Sequence, residues 1–348
     1  MCIIKALVKY AKGAGNVRLM DMPKPVPGPE EVLVRVEACG ICGTDIKIQD
    51  DHFIYDPPVI MGHEYSGSIA EVGERVSRFK PGDRVIGEQH VNACGKCSFC
   101  LSGRRHLCPS KRSPGYLSEG AFAHYIKVHE SLLHIIPDEV SFDEAALVEP
   151  MGICAYAILE RAKINPCETV VVLGCGPMSL ISIQMILAAG ASRVFVTGMD
   201  VDEKERAAMA IKFGAEKFIN AGRTDAAKEI LELTGGEGAD VVVDLAGAPS
   251  AIVNGLDMLK KNGRLCAIGL PAGDVAVPWA KAVLKAVSFI YSFSSDNISW
   301  MRCLDMIKRG KVKLESFTSS VYPMTRWEDA FEEARSGRAL KVIIHPWE

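Results

Sequence analysis

Four cysteines, Cys94, Cys97, Cys100 and Cys108, stand in the run CGKCSFCLSGRRHLC with the spacing C-x2-C-x2-C-x7-C. Two-residue gaps let neighbouring thiolates converge on one tetrahedral ion at about 2.3 Å. Four thiolates saturate zinc and leave no open position, so the expected site is structural. Lys96, Arg104 and Arg105 can offset its negative charge. Cys108 precedes a proline, as in some iron–sulfur sites, but there the last gap is about three residues and the fourth cysteine serves a second cluster. The gap of seven, with no second set of cysteines, favours zinc.

A second constellation is more dispersed. It comprises Cys42-Gly-Thr44-Asp45, then Gly62-His63-Glu64, then Val148-Glu149-Pro150. One Cys, one His and one Glu suit a catalytic zinc, which takes three protein ligands and keeps a fourth position for water or a substrate oxygen. Cys42 and His63 are the expected ligands, with Glu64 or Glu149 the third. Thr44 lies two residues after Cys42, so on an extended segment its side chain faces the same side. A hydroxyl there can take an alcohol proton and pass it toward solvent. Asp45 can accept a hydrogen bond from the non-ligating nitrogen of His63, the support that zinc histidines usually have. Cys39 reads as a buried neighbour and not as a ligand.

The third constellation suits a dinucleotide. Val170-Val-Val-Leu-Gly174-Cys-Gly176-Pro177-Met178-Ser179 reads as a strand, a glycine turn and a helix. Gly174 permits the tight turn, and Gly176 lets the backbone approach a pyrophosphate at the helix N-terminus. Ser179 replaces the third glycine of the usual fingerprint and is small enough to pack. Ile268 and Gly269, ending the strand GRLCAIG, complete the candidate cofactor contacts. The acidic residue that normally binds the ribose hydroxyls is replaced by Gly198. Its loss admits a 2′-phosphate, hence NADP, although Asp200 would repel a phosphate or serve the ribose from a shifted place. Arg206 can stack on adenine, bind phosphate or lie on a solvated helix face.

These groups need a frame. Up to about residue 150 the chain is rich in Gly, Pro and short β-like runs such as EEVLVRVEAC and YSGSIAEVG, which predicts a β-rich, barrel-like domain. From 151 the apolar strand ETVVVLG opens a strict alternation of strands and helices, including a helix over SAIVNGLDMLKKNG. That alternation predicts a parallel, doubly wound α/β sheet. After about 290 an amphipathic helix, WEDAFEEARSGR, and a closing strand, ALKVIIHPWE, can return to the first domain.

Bulk properties narrow the classes. The chain has 348 residues, 48% hydrophobic and 24% charged, which suits two globular domains. A net charge of −3 argues against a nucleic-acid partner. No long apolar run or export signal is read, so neither membrane insertion nor secretion is expected. With a large core and no signal, the 12 cysteines are expected as thiols and metal ligands in a reducing cytoplasm. Cys154, Cys266 and Cys303 read as small buried hydrophobes.

With these motifs in this order, the chain resembles the zinc-dependent medium-chain alcohol dehydrogenases, and within them the polyol branch of sorbitol and threonine dehydrogenases. The resemblance spans nearly the whole sequence. It implies a GroES-like catalytic domain from 1–150 and 291–348, carrying the structural-zinc lobe at 94–108, and a Rossmann domain over 151–290. It implies two zinc ions per chain, NAD or NADP, a small alcohol or polyol substrate, and a homodimer or homotetramer. Two positions depart from the best-known branches. Threonine dehydrogenases carry a His three residues after the Thr, where this chain has Lys47; sorbitol dehydrogenases carry an Arg-Tyr pair where it has Ile290-Tyr291. The competing readings are a sugar-phosphate or amino-alcohol dehydrogenase, with Lys47 and the basic residues near the lobe holding an anion, and a cofactor-binding regulator without turnover. Intact Cys42, His63, Glu64 and Thr44 weigh against the regulator.

Overall fold

The structure is a computed structural model that describes residues 2–348. The chain divides into two compact units. One takes the chain up to Pro150, then Asp296–Lys308 and Leu314–Glu348; the other takes Met151–Ser295 and Arg309–Lys313.

Strands of the first unit, in chain order, are β1 (Ile3–Lys9), β2 (Val17–Pro23), β3 (Glu31–Gly40), β4 (Val59–Ile60), β5 (Glu64–Val72), β6 (Arg84–Gly87), β7 (Tyr125–His129) and β8 (Leu133–Ile135). The second unit contributes β9 (Thr169–Leu173), β10 (Arg193–Gly198), β11 (Lys217–Asn220), β12 (Ala239–Asp244), β13 (Leu259–Ala267) and β14 (Ser288–Tyr291). The chain then returns to the first unit with β15 (Thr318–Pro323) and β16 (Lys341–His345).

The first unit holds a small sheet, β2-β1-β4, and a large one ordered β15-β16-β3-β5-β6-β8, with β7 also on β3. Pairing around β3 is antiparallel, with Cys39 opposite Tyr65 and Gly40 opposite Glu64. Val32, Val34 and Val36 alternate into one core together with Tyr65, Val85, Ile126 and Ile344. The helix Trp327–Ser336 adds Trp327, Ala330 and Phe331 to that core at three- and four-residue spacing.

The second unit is a parallel sheet ordered β11-β10-β9-β12-β13-β14. Val170, Val171 and Val172 of β9 are all fully buried, as expected of a strand covered on both faces. The strand order reverses between β9 and β12, which makes the C-terminal ends of these strands a topological switch point. One boundary differs from the sequence reading. The helix after β12 is Pro249–Met258, and Lys260-Lys-Asn-Gly263 already belongs to β13. The helix breaks at Leu259, whose backbone is already extended (φ −72°, ψ 142°).

No helix among the described residues is long and apolar enough to cross a membrane. All 12 cysteines are free thiols, and Cys154, Cys266 and Cys303 are buried.

Candidate metal and cofactor sites

Cys94, Cys97, Cys100 and Cys108 bring their sulfurs within 4.8 Å of one another. The chain reaches this geometry through two short turns. Cys97 caps the helix Ser98–Leu101, and Cys108 follows the 3-10 turn Arg105–Leu107. Backbone N–H groups aim at the sulfurs: Cys94 N–H donates to Cys108 Sγ at 3.3 Å and Cys100 N–H to Cys97 Sγ at 3.5 Å. The Cys94 N–H, with help from that of Ser110, pushes the Cys108 thiol down to about 6. Burial pushes the Cys100 thiol up to about 12, but four converging sulfurs fit a tetrahedral, closed metal site.

Cys42, His63 and Glu64 form the second group, with ligand atoms again within 4.8 Å of one another. Cys42 is the N-cap of the helix Gly43–Gln49, which starts where β3 ends. His63 follows Gly62, whose φ of +88° makes the turn into β5. Glu64 opens β5 opposite Gly40, and a Cβ at 40 would fall 2.5 Å from Glu64 Oε2. The absence of a side chain at 40 therefore makes the room that the carboxylate occupies.

The electrostatics of this group ask for a cation. Cys42, Asp45, His63, Glu64 and Glu149 lie close together with little exposure. Burial, aided by the Glu64 carboxylate, pushes the Cys42 thiol up. Burial likewise raises the Asp45 carboxyl, against the pull of His63 and the Cys42 N–H, and pushes Glu149 up to about 7, with Glu64 adding to the effect. A bound dication reverses this balance, ionising the thiol and neutralising the carboxylates. Donor types, proximity and surplus of buried acid all fit zinc. Among the described residues, the ammonium that contacts Glu64 is Lys341 of β16, itself buried. Burial works to lower its pKa, but Glu64 and Cys42 outweigh that and hold it raised.

Asp45 Oδ1 lies 3.6 Å from His63 Nδ1, and its Oδ2 accepts the Cys42 N–H at 2.9 Å. The Asp45–His63 contact is thus an ion-pair distance and not the hydrogen bond expected from sequence. Thr44 corrects a second expectation. It sits in the helix Gly43–Gln49 and not on an extended segment. Residues two apart on a helix point about 200° apart, so the same-side argument does not hold for it. Glu149 lies outside the 4.8 Å group and takes a hydrogen bond from Gln89. Lys47 is exposed.

Several neighbours had no signal in the sequence. Tyr116 meets the His63 ring edge-on, centroids 6.1 Å apart, and Phe53 meets Tyr116 at 5.4 Å. Lys111, just beyond the last lobe cysteine, faces Glu149; burial pulls its pKa down to about 8 against that carboxylate's pull. Gln89 comes from one loop, and Lys111 and Tyr116 from another, before β7; only tertiary packing gives them a common direction.

In the second unit, Gly174 takes a φ of +93° at the end of β9, and Gly176 caps the helix Pro177–Ala188 with Pro177 at its first turn. A Cβ at Gly176 would meet nothing within 4 Å, so the space over that turn is open. Met178 is in the first turn of the same helix. Ile268 and Gly269 follow β13, and both donate their N–H to the Asp244 carbonyl at the end of β12, at 2.9 and 3.0 Å. Asp200 does not stand alone: Asn220 and Arg223 donate to its Oδ1 at 2.7 and 2.9 Å. Arg206 pairs with Asp202 at 2.8 Å, a contact readable in principle from the i, i+4 spacing.

Comparison with known proteins agrees with both halves. Residues 28–138 match the family model of the alcohol dehydrogenase GroES-like domain, and residues 177–309 that of zinc-binding dehydrogenases. A sorbitol dehydrogenase from Halalkalibacterium halodurans is 35% identical, over 99% of each chain. A D-arabitol-phosphate dehydrogenase from Enterococcus avium is 31% identical, over 98% of this chain and 97% of its own. A crystal structure of a Sinorhizobium meliloti protein, described as a zinc-binding dehydrogenase bound to NADP, superposes with a TM-score of 0.92 at 26% identity. That match covers 99% of this chain and 100% of the other.

Proposed function

The chain belongs to the zinc-dependent medium-chain alcohol dehydrogenases and is an NAD(P)-linked oxidoreductase of their polyol branch, and on that premise we propose how its residues divide the work. Cys42, His63 and Glu64 hold the catalytic zinc, and the four lobe cysteines hold a structural one. The observation that carries this is the convergence of the two ligand sets, each within 4.8 Å.

When bound, zinc supplies Lewis-acid polarisation of an alcohol oxygen, and the nicotinamide supplies a hydride acceptor. The remaining work belongs to side chains. Asp45 keeps a carboxylate 3.6 Å from His63 Nδ1. Lys341 balances Glu64. Thr44 accepts the hydroxyl proton of the substrate and passes it to solvent as the carbinol C–H leaves as hydride, so that alcohol becomes carbonyl. Tyr116 and Phe53 form an aromatic wall beside His63. Gly174, Gly176, Pro177 and Met178 receive the cofactor pyrophosphate at the helix N-terminus, with Ile268 and Gly269 beside it.

The substrate is a secondary alcohol, polyol or sugar. One observation favours a phosphorylated polyol as the second reading: Lys111, a largely desolvated ammonium, faces Glu149. A screen of polyols, sugars and their phosphates with both cofactors tests the assignment. Turnover of none of them by the zinc-loaded protein would overturn it.

The working form is a homodimer or homotetramer in the cytoplasm. In support, β14 ends its sheet, and Tyr291, Phe293, Trp279 and Leu284 in and around it are 64–80% exposed. Light scattering of the purified chain reads the assembly; a strict monomer overturns it. The free cysteines suit a reducing compartment.

A further inference from the structure

The basic residues of the cysteine lobe have no part in the chemistry above. Arg105 opens the 3-10 turn Arg105–Leu107, which leads into Cys108. It is half-buried, and its guanidinium bonds not to a lobe sulfur but from Nη1 to Ser131 Oγ, at 2.9 Å. Among the described residues it pairs with no carboxylate. The Nε and Nη2 donors of the planar fork are therefore left open, in the geometry that receives an oxyanion.

Arg105 and Ser131 together line a cavity of about 360 Å³, within the roughly 300–1,000 Å³ span of small-ligand sites. Lys127 and His129 line it too. Period two along β7 sends Ile126 and Val128 into the core and leaves these two on the opposite face. The remaining wall includes Gly95, between the first two lobe cysteines.

The acids nearby are engaged. Glu31, the carboxylate that lines the cavity, accepts the Gly28 N–H at 2.8 Å as well as Lys127 at 3.1 Å, so it keeps a partner when Lys127 turns away. Glu30 faces Arg75 and His129 at 3.7 and 3.3 Å, and Glu130 accepts the Ser77 and Arg78 N–H groups at 3.1 and 3.0 Å. Arg75, Arg78, Arg105 and Lys127 outnumber these three carboxylates, and Arg105 lines the cavity without an acid of its own. A lone carboxylate would satisfy one guanidinium; a phosphate dianion matches the fork and an ammonium together.

We propose that this cavity binds phosphate, as the inorganic dianion or as a phosphomonoester, held by Arg105 with Lys127 as the second cation. Arg105 and Gly95 belong to the lobe, while Lys127 and Ser131 belong to β7 and the turn after it. The bound anion thus ties the lobe to the large sheet. The site is separate from the substrate phosphate considered for Lys111 and rests on none of the dehydrogenase assignments.

Calorimetry of the zinc-loaded full chain at constant ionic strength, with inorganic phosphate titrated against a chloride blank, tests it. One saturable site is expected, with a Kd at or below about 1 mM. Arg105→Gln should weaken it by about tenfold or more and Arg105→Lys should keep part of it, while Lys111→Met leaves it within about twofold. Hydrogen exchange locates the effect: at about ten times the Kd, amides of residues 94–108 that exchange by local opening should slow about tenfold. Glycerol 3-phosphate at the same site, bound more tightly than inorganic phosphate, would assign the monoester; the reverse order assigns the free ion. No saturable heat with either probe, or binding to the unmodified protein that leaves 94–108 unprotected, overturns the proposal even if no variant folds. Heat that persists in Arg105→Gln does the same. Oxidation of an alcohol without phosphate binding removes this inference and leaves the dehydrogenase.

Discussion

Lys341, on the last strand, holds the carboxylate of Glu64 across 277 residues of sequence, and its ammonium also donates to the Ile41 carbonyl at 3.1 Å. Removing one partner of a buried ion pair costs roughly 3–5 kcal/mol, because the other charge is left without compensation. Lys341→Met is therefore expected to destabilise the metal-free protein strongly. Zinc can take over the neutralisation, so the loaded protein should lose less. Calorimetric melting with and without zinc measures the gap; equal losses in the two forms contradict the pairing.

Gly40 leaves the space that Glu64 fills. Gly40→Ala puts a methyl group 2.5 Å from the present position of Oε2, so the carboxylate must move. Zinc affinity at the Cys42 site should fall by about 10- to 100-fold, the usual effect of disturbing a ligand's support. A chelator competition titration reads this, and the lobe zinc serves as the internal control because it should not change.

The two metal sites should be separable by count. Cys97→Ser is expected to lower zinc from two per chain to one and to open residues 94–108 to proteases. Cys42→Ser should also leave one zinc, keep the lobe closed and abolish turnover. Native mass spectrometry with limited proteolysis distinguishes the cases, and full activity in Cys42→Ser would rule out the catalytic assignment.

Lys111 supplies a pH prediction. Its pKa is lowered to about 8, so its charge is present below that pH and disappears above it. If it grips a phosphate, kcat/KM for a polyol phosphate should fall relative to the neutral polyol as pH rises through about 8. Lys111→Met should flatten the ratio. The stability sign runs the other way. Between about 8 and the ordinary lysine value the unfolded chain binds more protons, so the folding cost of this group shrinks as pH rises. A ratio independent of pH disproves the phosphate role.

Local relationships were legible in the sequence and distant ones were not. The convergence of the lobe cysteines could be read because all four lie within a single short run. The turn from β9 into its helix could be read because glycines and strand adjoin. Thr44 lies on a helix and not on an extended segment, and Asp45, three residues after Cys42, is the helix-start signal: its side chain accepts the Cys42 N–H. Gln89 on Glu149, Tyr116 against His63 and Lys341 on Glu64 leave no pattern in the chain. Their directions come from how separately folded loops and strands pack. Gly198 was visible as a missing acid, yet only the position of Phe218 and Asp202, 2.6 and 2.9 Å from where a Cβ at 198 would stand, explains why no acid fits.

The seating of β16 against β3, with Ile343 opposite Gly40, also sets a timetable for the newborn chain. Residues 42–64 leave the ribosome long before their neutralising lysine is made. At about 5–20 residues per second, the 277 positions between Glu64 and Lys341 take on the order of tens of seconds to translate. Once β14 has been made, the inserted parallel sheet has all its own strands and can fold, while the outer sheet still waits for β15 and β16. The nascent polypeptide therefore matures from the middle outward, and the acidic ligand cluster is the last part to be sealed.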